Sequence, residues 1–208
     1  MNPKNKPLSI LLLFILFSVF YAKSQNADIN LLRKINLERN EKWDPTVKVI
    51  TCSMYPVGVG SSVLVITIGS LKEDSAIVHK GLIMAESFLL NAAITTALKY
   101  GIKRERPFVT YPDLENVTTP TTPSFPSGHT STAFSTATSL SLCFPKWYVI
   151  APSFAWASAV GYSRLHLGVH YPSDVLVGAL VGSGSAYLCY KSNQWIVGKI
   201  RKKSSKKL

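Results

Sequence analysis

Acidic side chains are scarce in this 208-residue chain, where 11 Asp and Glu stand against 23 Lys and Arg for a formal charge of +12. Charged residues together make up 16%, well under the usual quarter. The few carboxylates form no cluster suited to Mg²⁺, and no His/Cys set has zinc spacing. Cysteine is scarcer still. Cys52, Cys143 and Cys189 are odd in number and far apart, which excludes a disulfide framework and predicts small buried hydrophobes. Internal sequence repeats are missing too. The basic excess would suit a nucleic acid, yet no groove-reading motif accompanies it, and seven of the 23 basic residues lie beyond Cys189, in Lys191, Lys199, Arg201, Lys202, Lys203, Lys206 and Lys207. Nucleic acid is therefore not an expected partner, and a basic tail after the last apolar run reads instead as cytoplasmic.

What the chain does have is apolar runs. The first, Leu8 to Tyr21, follows Lys4 and Lys6 and precedes the small residues of Ala22-Lys23-Ser24. That pattern predicts an export signal over 1–24, cut before Gln25, or else an uncleaved anchor. Residues 25–55 are polar, with an amphipathic helix expected within Ile29 to Asn40 that lies on a membrane or packs on the domain. Five further runs follow: Val57 to Leu71, Leu82 to Leu98, Thr130 to Phe144, Tyr148 to Tyr162 and Val175 to Tyr190. They predict an all-α compact bundle of five to six core helices over 56–192, membrane-spanning, with a basic tail over 193–208. Each run of about sixteen residues reaches only about 24 Å, against a hydrocarbon core of about 30 Å, so a soluble periplasmic bundle is the alternative. Glu86, inside one run, is expected to find a structural partner.

The residues that carry chemistry concentrate in SRLHLGVHYPSD, from Ser163 to Asp174. Pro172 suits the first turn of a helix, which places His170 just before that helix and Asp174 in its opening turn. There the carboxylate can hold one imidazole nitrogen and leave the other free as nucleophile or base. Arg164 adds a planar fork suited to phosphate oxygens. Upstream, Lys99 precedes Arg106-Pro107 by six residues, and Pro126-Ser127-Gly128-His129 opens another helix, whose first N–H groups and dipole favour an anion. If the helix ending near Lys99 continues, Arg106 lies about two turns along the same face. Lys103, Arg104 and Glu105 between them are expected to be exposed, and Phe108 to Ser124 to form a loop at the mouth of the site. Taken singly, these residues have plainer roles. Lys99 could serve a helix C-terminus, Ser127 an N-cap, His129 an exposed first turn and Asp174 a helix dipole.

Their joint order is not explained that way. K-x6-RP, PSGH and SR-x5-H-x3-D together resemble the type 2 phosphatidic acid phosphatase superfamily, which also contains bacterial acid phosphatases and vanadium haloperoxidases; the likeness runs over residues 88–190. The resemblance implies that His170 attacks phosphorus and becomes a phosphohistidine, oriented by Asp174. His129 would protonate the leaving oxygen and then activate water. Lys99, Arg106, Ser127, Gly128 and Arg164 would bind the phosphate, with no metal and no cofactor. The expected partner is a phosphorylated lipid: phosphatidate, phosphatidylglycerophosphate, undecaprenyl pyrophosphate or a lipid A phosphate. The alternatives are a soluble periplasmic acid phosphatase of broad specificity, a haloperoxidase, and a membrane protein that binds such a lipid without turning it over. With a cleaved signal and five crossings, all three motifs fall on the outer face of the inner membrane and the basic tail inside.

Overall fold

Residues 26–204 are described by a computed structural model. The expected export signal over 1–24 lies outside them, as do residues 205–208 of the expected tail. Every regular element among the described residues is a helix. Helix α1 (26–37) is the expected amphipathic one, and it packs on the domain: Ile29 and Leu32 are buried with Leu114 and Tyr171. A 3₁₀ turn, Glu41–Trp43, follows it. Pro45, in the first turn of α2 (Asp44–Cys52), starts the next helix, and a bend at Ser53 leads to α3 (Met54–Leu71).

Asp74 caps α4 (Ser75–Ile102) by accepting from the N–H groups of Ala76 and Ile77. The helix does not continue to Arg106. Lys103, in the left-handed region at φ 53°, closes it. Pro107 then forces Arg106 into an extended conformation, at φ −78° and ψ 151°, ahead of the four-residue helix α5 (Pro107–Thr110). The remainder of the Pro- and Thr-rich stretch up to Ser127 is irregular. Three helices complete the bundle: α6 (Gly128–Cys143), α7 (Trp147–His166) and α8 (Pro172–Ser204). Helix α8 runs 33 residues, well past the apolar run that ends at Tyr190. Lys, Gln and Arg are good helix formers, so the helix persists where its apolar signal stops.

Helix α6 sits at the centre, touching α3, α4, α7 and α8. Its buried residues are small: Ser, Thr, Ala and one Cys. Their hydroxyls bond back to the helix or across to neighbours, as Ser131 does with Thr95 (3.0 Å), and the half-buried Thr138 likewise meets Ser183 (3.1 Å). Glycines on α8 let it press against α6. A Cβ at Gly178 would stand 2.7 Å from the Ser127 carbonyl oxygen, and one at Gly182 would overlap the Ser131 carbonyl.

Two stretches, Glu41–Leu71 and Ser75–Thr110, contain helix long and apolar enough to cross a bilayer. Large apolar side chains point outward from several helices, among them Val63, Leu64, Leu89, Leu176, Leu180 and Leu188. Glu86 does find a partner, but on the exposed side of α4, where it accepts from Asn193 Nδ2 at 2.7 Å. The cysteine expectation holds for Cys143 alone. Cys189 is half-buried, and Cys52, at the end of α2, is exposed.

Candidate active site

The starts of α3 and α6, the ends of α4 and α7, and the turn before α8 meet at one end of the bundle around a cavity of about 310 Å³. Lys99, Arg106, Gly128, His129, Arg164 and His170 all line it, and no carboxylate does. Residues from three distant motifs are thus brought together. The other two expected site residues stand behind the wall. Asp174 is fully buried behind His170, and Ser127 is fully buried, its hydroxyl accepting from Thr130 Oγ1 at 2.9 Å.

His170 precedes α8 and Asp174 lies in its first turn. The Asp174 Oδ2 atom stands 3.4 Å from His170 Nδ1, while His170 Nε2 faces Arg106 Nη1 at 3.3 Å. A carboxylate only accepts and a guanidinium only donates, so the network assigns the proton to Nδ1 and the lone pair to Nε2. Burial pushes the His170 imidazole down to about 3; Asp174 pulls the other way, while Arg106 and Arg164 add to the depression. The ring is therefore neutral at physiological pH, which is the form a nucleophile needs.

The cations are fixed before any ligand arrives. Lys99 Nζ donates to the Pro123 carbonyl. Arg106 donates from Nε to Thr122 O at 2.8 Å and from Nη1 to Val169 O at 2.9 Å. Arg164 donates from Nη1 to Thr51 Oγ1 at 2.8 Å, but its Nε is buried without a partner. Such an orphaned donor costs about 1–3 kcal/mol, and it belongs to a side chain that lines the cavity. Gly128 and His129 present the first turn of α6, where backbone N–H groups lack helical acceptors.

Four contributors escaped sequence reasoning. Ser124, inside the expected loop, donates to Asp174 Oδ2 and lies 3.3 Å from His170 Nδ1. Thr51 anchors Arg164. Arg104 is not an exposed charge: it is half-buried and binds Asp174 Oδ1 through Nη1 at 2.7 Å, whereas Lys103 and Glu105 are exposed as expected. Asp28, on α1, accepts from Arg104 Nη2 at 2.9 Å.

The chain is similar to known proteins in sequence and in fold. The chain is 36% identical to an undecaprenyl-diphosphatase of Sulfolobus acidocaldarius over 109 residues, 52% of each chain. It is 38% identical to a lipid A 4′-phosphatase of Bacteroides thetaiotaomicron over 66 residues, 32% of this chain and 29% of that one. It therefore spans about half the length, or less, of these curated relatives. Among solved structures, the transmembrane PAP2-type phosphatidylglycerolphosphate phosphatase of Bacillus subtilis superposes with a TM-score of 0.69 at 26% identity, over 92% of this chain and 98% of that one. LpxE of Aquifex aeolicus gives 0.68 at 27% identity, over 79% and 95%. The family model described as PAP2 superfamily matches residues 80–197, more than half of the sequence and all of the cavity's motif residues, and the chain belongs to that superfamily.

Proposed function

We propose that the protein is a membrane-bound phosphatase that hydrolyses a lipid phosphate or lipid pyrophosphate through a phosphohistidine on His170. One observation supports this most: a single cavity gathers Lys99, Arg106, Arg164, both histidines and the start of α6, without one carboxylate among its lining residues. Such a wall suits a phosphoryl group, whose transfer depends on positioned positive charge rather than on covalent help. Met54, Phe88 and Ala92 line the α3–α4 side of the same cavity, which gives an apolar leaving group a place to lie. The relatives named above after their substrates act on phosphorylated lipids, and the outward leucines and valines suit a bilayer better than water.

In the first step the Nε2 lone pair of His170 forms a bond to phosphorus. The bond from phosphorus to the leaving oxygen breaks, and His129 gives that oxygen a proton. Burial and the nearby Arg164, Arg106 and Lys99 disfavour the charged ring before a ligand arrives, so this proton comes in with the phosphate, whose negative charge offsets the cations. In the second step neutral His129 takes a proton from water as the water oxygen bonds to phosphorus. The phosphorus–nitrogen bond breaks, inorganic phosphate leaves, and both histidines return to their starting states. Asp174 holds the His170 proton on Nδ1 throughout. The proposal places this end of the bundle at the outer face of the inner membrane of an exported chain.

The test is phosphate release by detergent-solubilised protein from phosphatidate, phosphatidylglycerophosphate, undecaprenyl pyrophosphate, lipid A and soluble phosphomonoesters. The expected result is turnover of lipid phosphates and an acid-labile phosphoenzyme on quenching, which His170→Asn abolishes with a loss of rate of about 10³-fold or more. Lipid binding without turnover of anything in the panel would instead favour a non-catalytic binding role.

A further inference from the structure

Helix α1 belongs to none of the motifs, yet one of its side chains reaches the site. Asp28 is 9% exposed, and its three polar contacts among the described residues all go toward the histidine turn. It accepts from the Ser173 N–H at 2.8 Å, from Ser173 Oγ, and from Arg104 Nη2 at 2.9 Å. Ser173 N–H belongs to the first turn of α8, where backbone donors have no helical acceptor, so Asp28 acts as a cap supplied from another helix. Arg104 spends its other amino group on Asp174 Oδ1 at 2.7 Å and on Ser173 Oγ at 2.7 Å. Its guanidinium also lies against the Tyr171 ring, 3.8 Å from the centroid.

These contacts divide the Asp174 carboxylate into two halves. Oδ2 serves the Tyr171 N–H, the Ser124 hydroxyl and His170 Nδ1. Oδ1 is held by Arg104. The bond to His170 is the longest of the set, at 3.4 Å, so a small rotation of the carboxylate would break it first. With Oδ1 released, only the Tyr171 N–H and the Ser124 hydroxyl, both on Oδ2, oppose the rotation, and no group holds the other end of the carboxylate. Arg104 is itself a long side chain with costly rotamer freedom, and Asp28 and Tyr171 fix it. The fully buried Asp174 also needs a nearby positive charge, which Arg104 supplies, while Asp28 balances Arg104 in turn.

We infer that Asp28 and Arg104 are positioning residues for the nucleophile: together they lock the plane of the Asp174 carboxylate and thereby aim His170 Nε2 into the cavity, making α1 a working part of the active site. This rests on the phosphatase reading above. Neither residue lines the cavity, so their loss acts on the chemical step and not on substrate binding.

The experiment compares kcat and KM for phosphate release by full-length protein in detergent. Arg104→Gln is expected to lower kcat about 10- to 100-fold, the usual cost of slightly misplacing a reacting group, with KM within about threefold of wild type. Arg104→Lys recovers part of the loss, since it keeps the charge without the fork. Asp28→Asn lowers kcat in the same way, and the double variant Asp28→Asn/Arg104→Gln is no worse than Arg104→Gln alone, because the two act as one unit. The control is Arg33→Ala, which removes the exposed ion pair of α1 with Asp113 (2.8 Å) and is expected to leave kcat unchanged. Wild-type kcat in Asp28→Asn, or an equal loss in Arg33→Ala, overturns the inference while leaving the phosphatase reading intact. A wild-type protein that hydrolyses nothing in the panel overturns both.

Discussion

In the proposed reaction His170 must be both aimed and neutral: burial, helped by Arg106 and Arg164, keeps the ring neutral, while Asp174 and its supports aim it. The cost shows as acid sensitivity. In the unfolded chain a histidine takes up its proton near 6.5, whereas in the folded protein His170 resists until about 3. Between those values the unfolded state binds more protons, so stability falls as the pH drops through that window. We expect the melting temperature of the wild type in detergent to decline from pH 6.5 to 4. In His170→Asn the decline is shallower by one proton, about 1.4 kcal/mol per pH unit; equal slopes would show that His170 is protonated when folded. The side chains that meet at the cavity were legible in the sequence because Lys, Arg and His at such spacings have few joint structural explanations. Their supports were not. Arg104 stands in a row of charges that resembles a solvated run, and its partner Asp174 is 70 residues away; Thr51 and Arg164 are 113 apart. Only the packing of distant helices pairs them.

Helices carry the site because their ends, not their middles, meet at it. The closest fit is between α6 and α8, where Gly182 faces the Ser131 carbonyl and Gly178 the carbonyl of Ser127, the residue that starts the His129 turn. A side chain at 182 must push the two helices apart and shift Gly128 and His129 with them. Gly182→Val is therefore expected to cost about 1–3 kcal/mol of stability through overpacking, and to lower kcat at temperatures where the protein is still folded. A Cβ at Gly184, two residues on, would meet nothing within 4 Å, so Gly184→Ala should keep full activity and melt no lower than wild type. Thermal melts of both variants with parallel rates decide it: full stability and rate in Gly182→Val would mean that α6 and α8 are not held this closely. The apolar runs announced α3, α4, α6, α7 and α8 because several of these helices carry large apolar residues on their outward faces as well as in the core. Helix ends were harder. The left-handed Lys103 that stops α4 carries no sequence mark, since Gly is the residue that usually signals such a cap, and polar Lys191 to Ser204 hid the last turns of α8.

At the scale of the molecule, His129, His170 and all three cavity cations sit at one end of the bundle, whereas the α3–α4 turn at Lys72, the α6–α7 turn at Lys146 and the later part of α8 lie toward the other. Helix lengths bear on whether the bundle spans. Helix α4 has 28 residues and α7 has 20, about 42 Å and 30 Å at the α-helical rise, so the shortness of the apolar runs was not the shortness of the helices. Helix α6, with 16 residues, stays near about 24 Å, and it is shielded by its neighbours. If the proposed orientation holds, the cavity end faces outward and the turn at Lys146 faces the cytoplasm, on the side favoured by basic residues. Single cysteines in a background with Cys52, Cys143 and Cys189 replaced by alanine read this directly. Val109, 58% exposed at the cavity end, and Lys146, exposed at the other, are the positions to compare. On intact cells a membrane-impermeant maleimide is expected to label Val109→Cys, and to reach Lys146→Cys only after the inner membrane is opened. The reverse pattern would invert the bundle and put the substrate in the inner leaflet, and labelling of both on intact cells would mean that the chain does not cross the membrane at all.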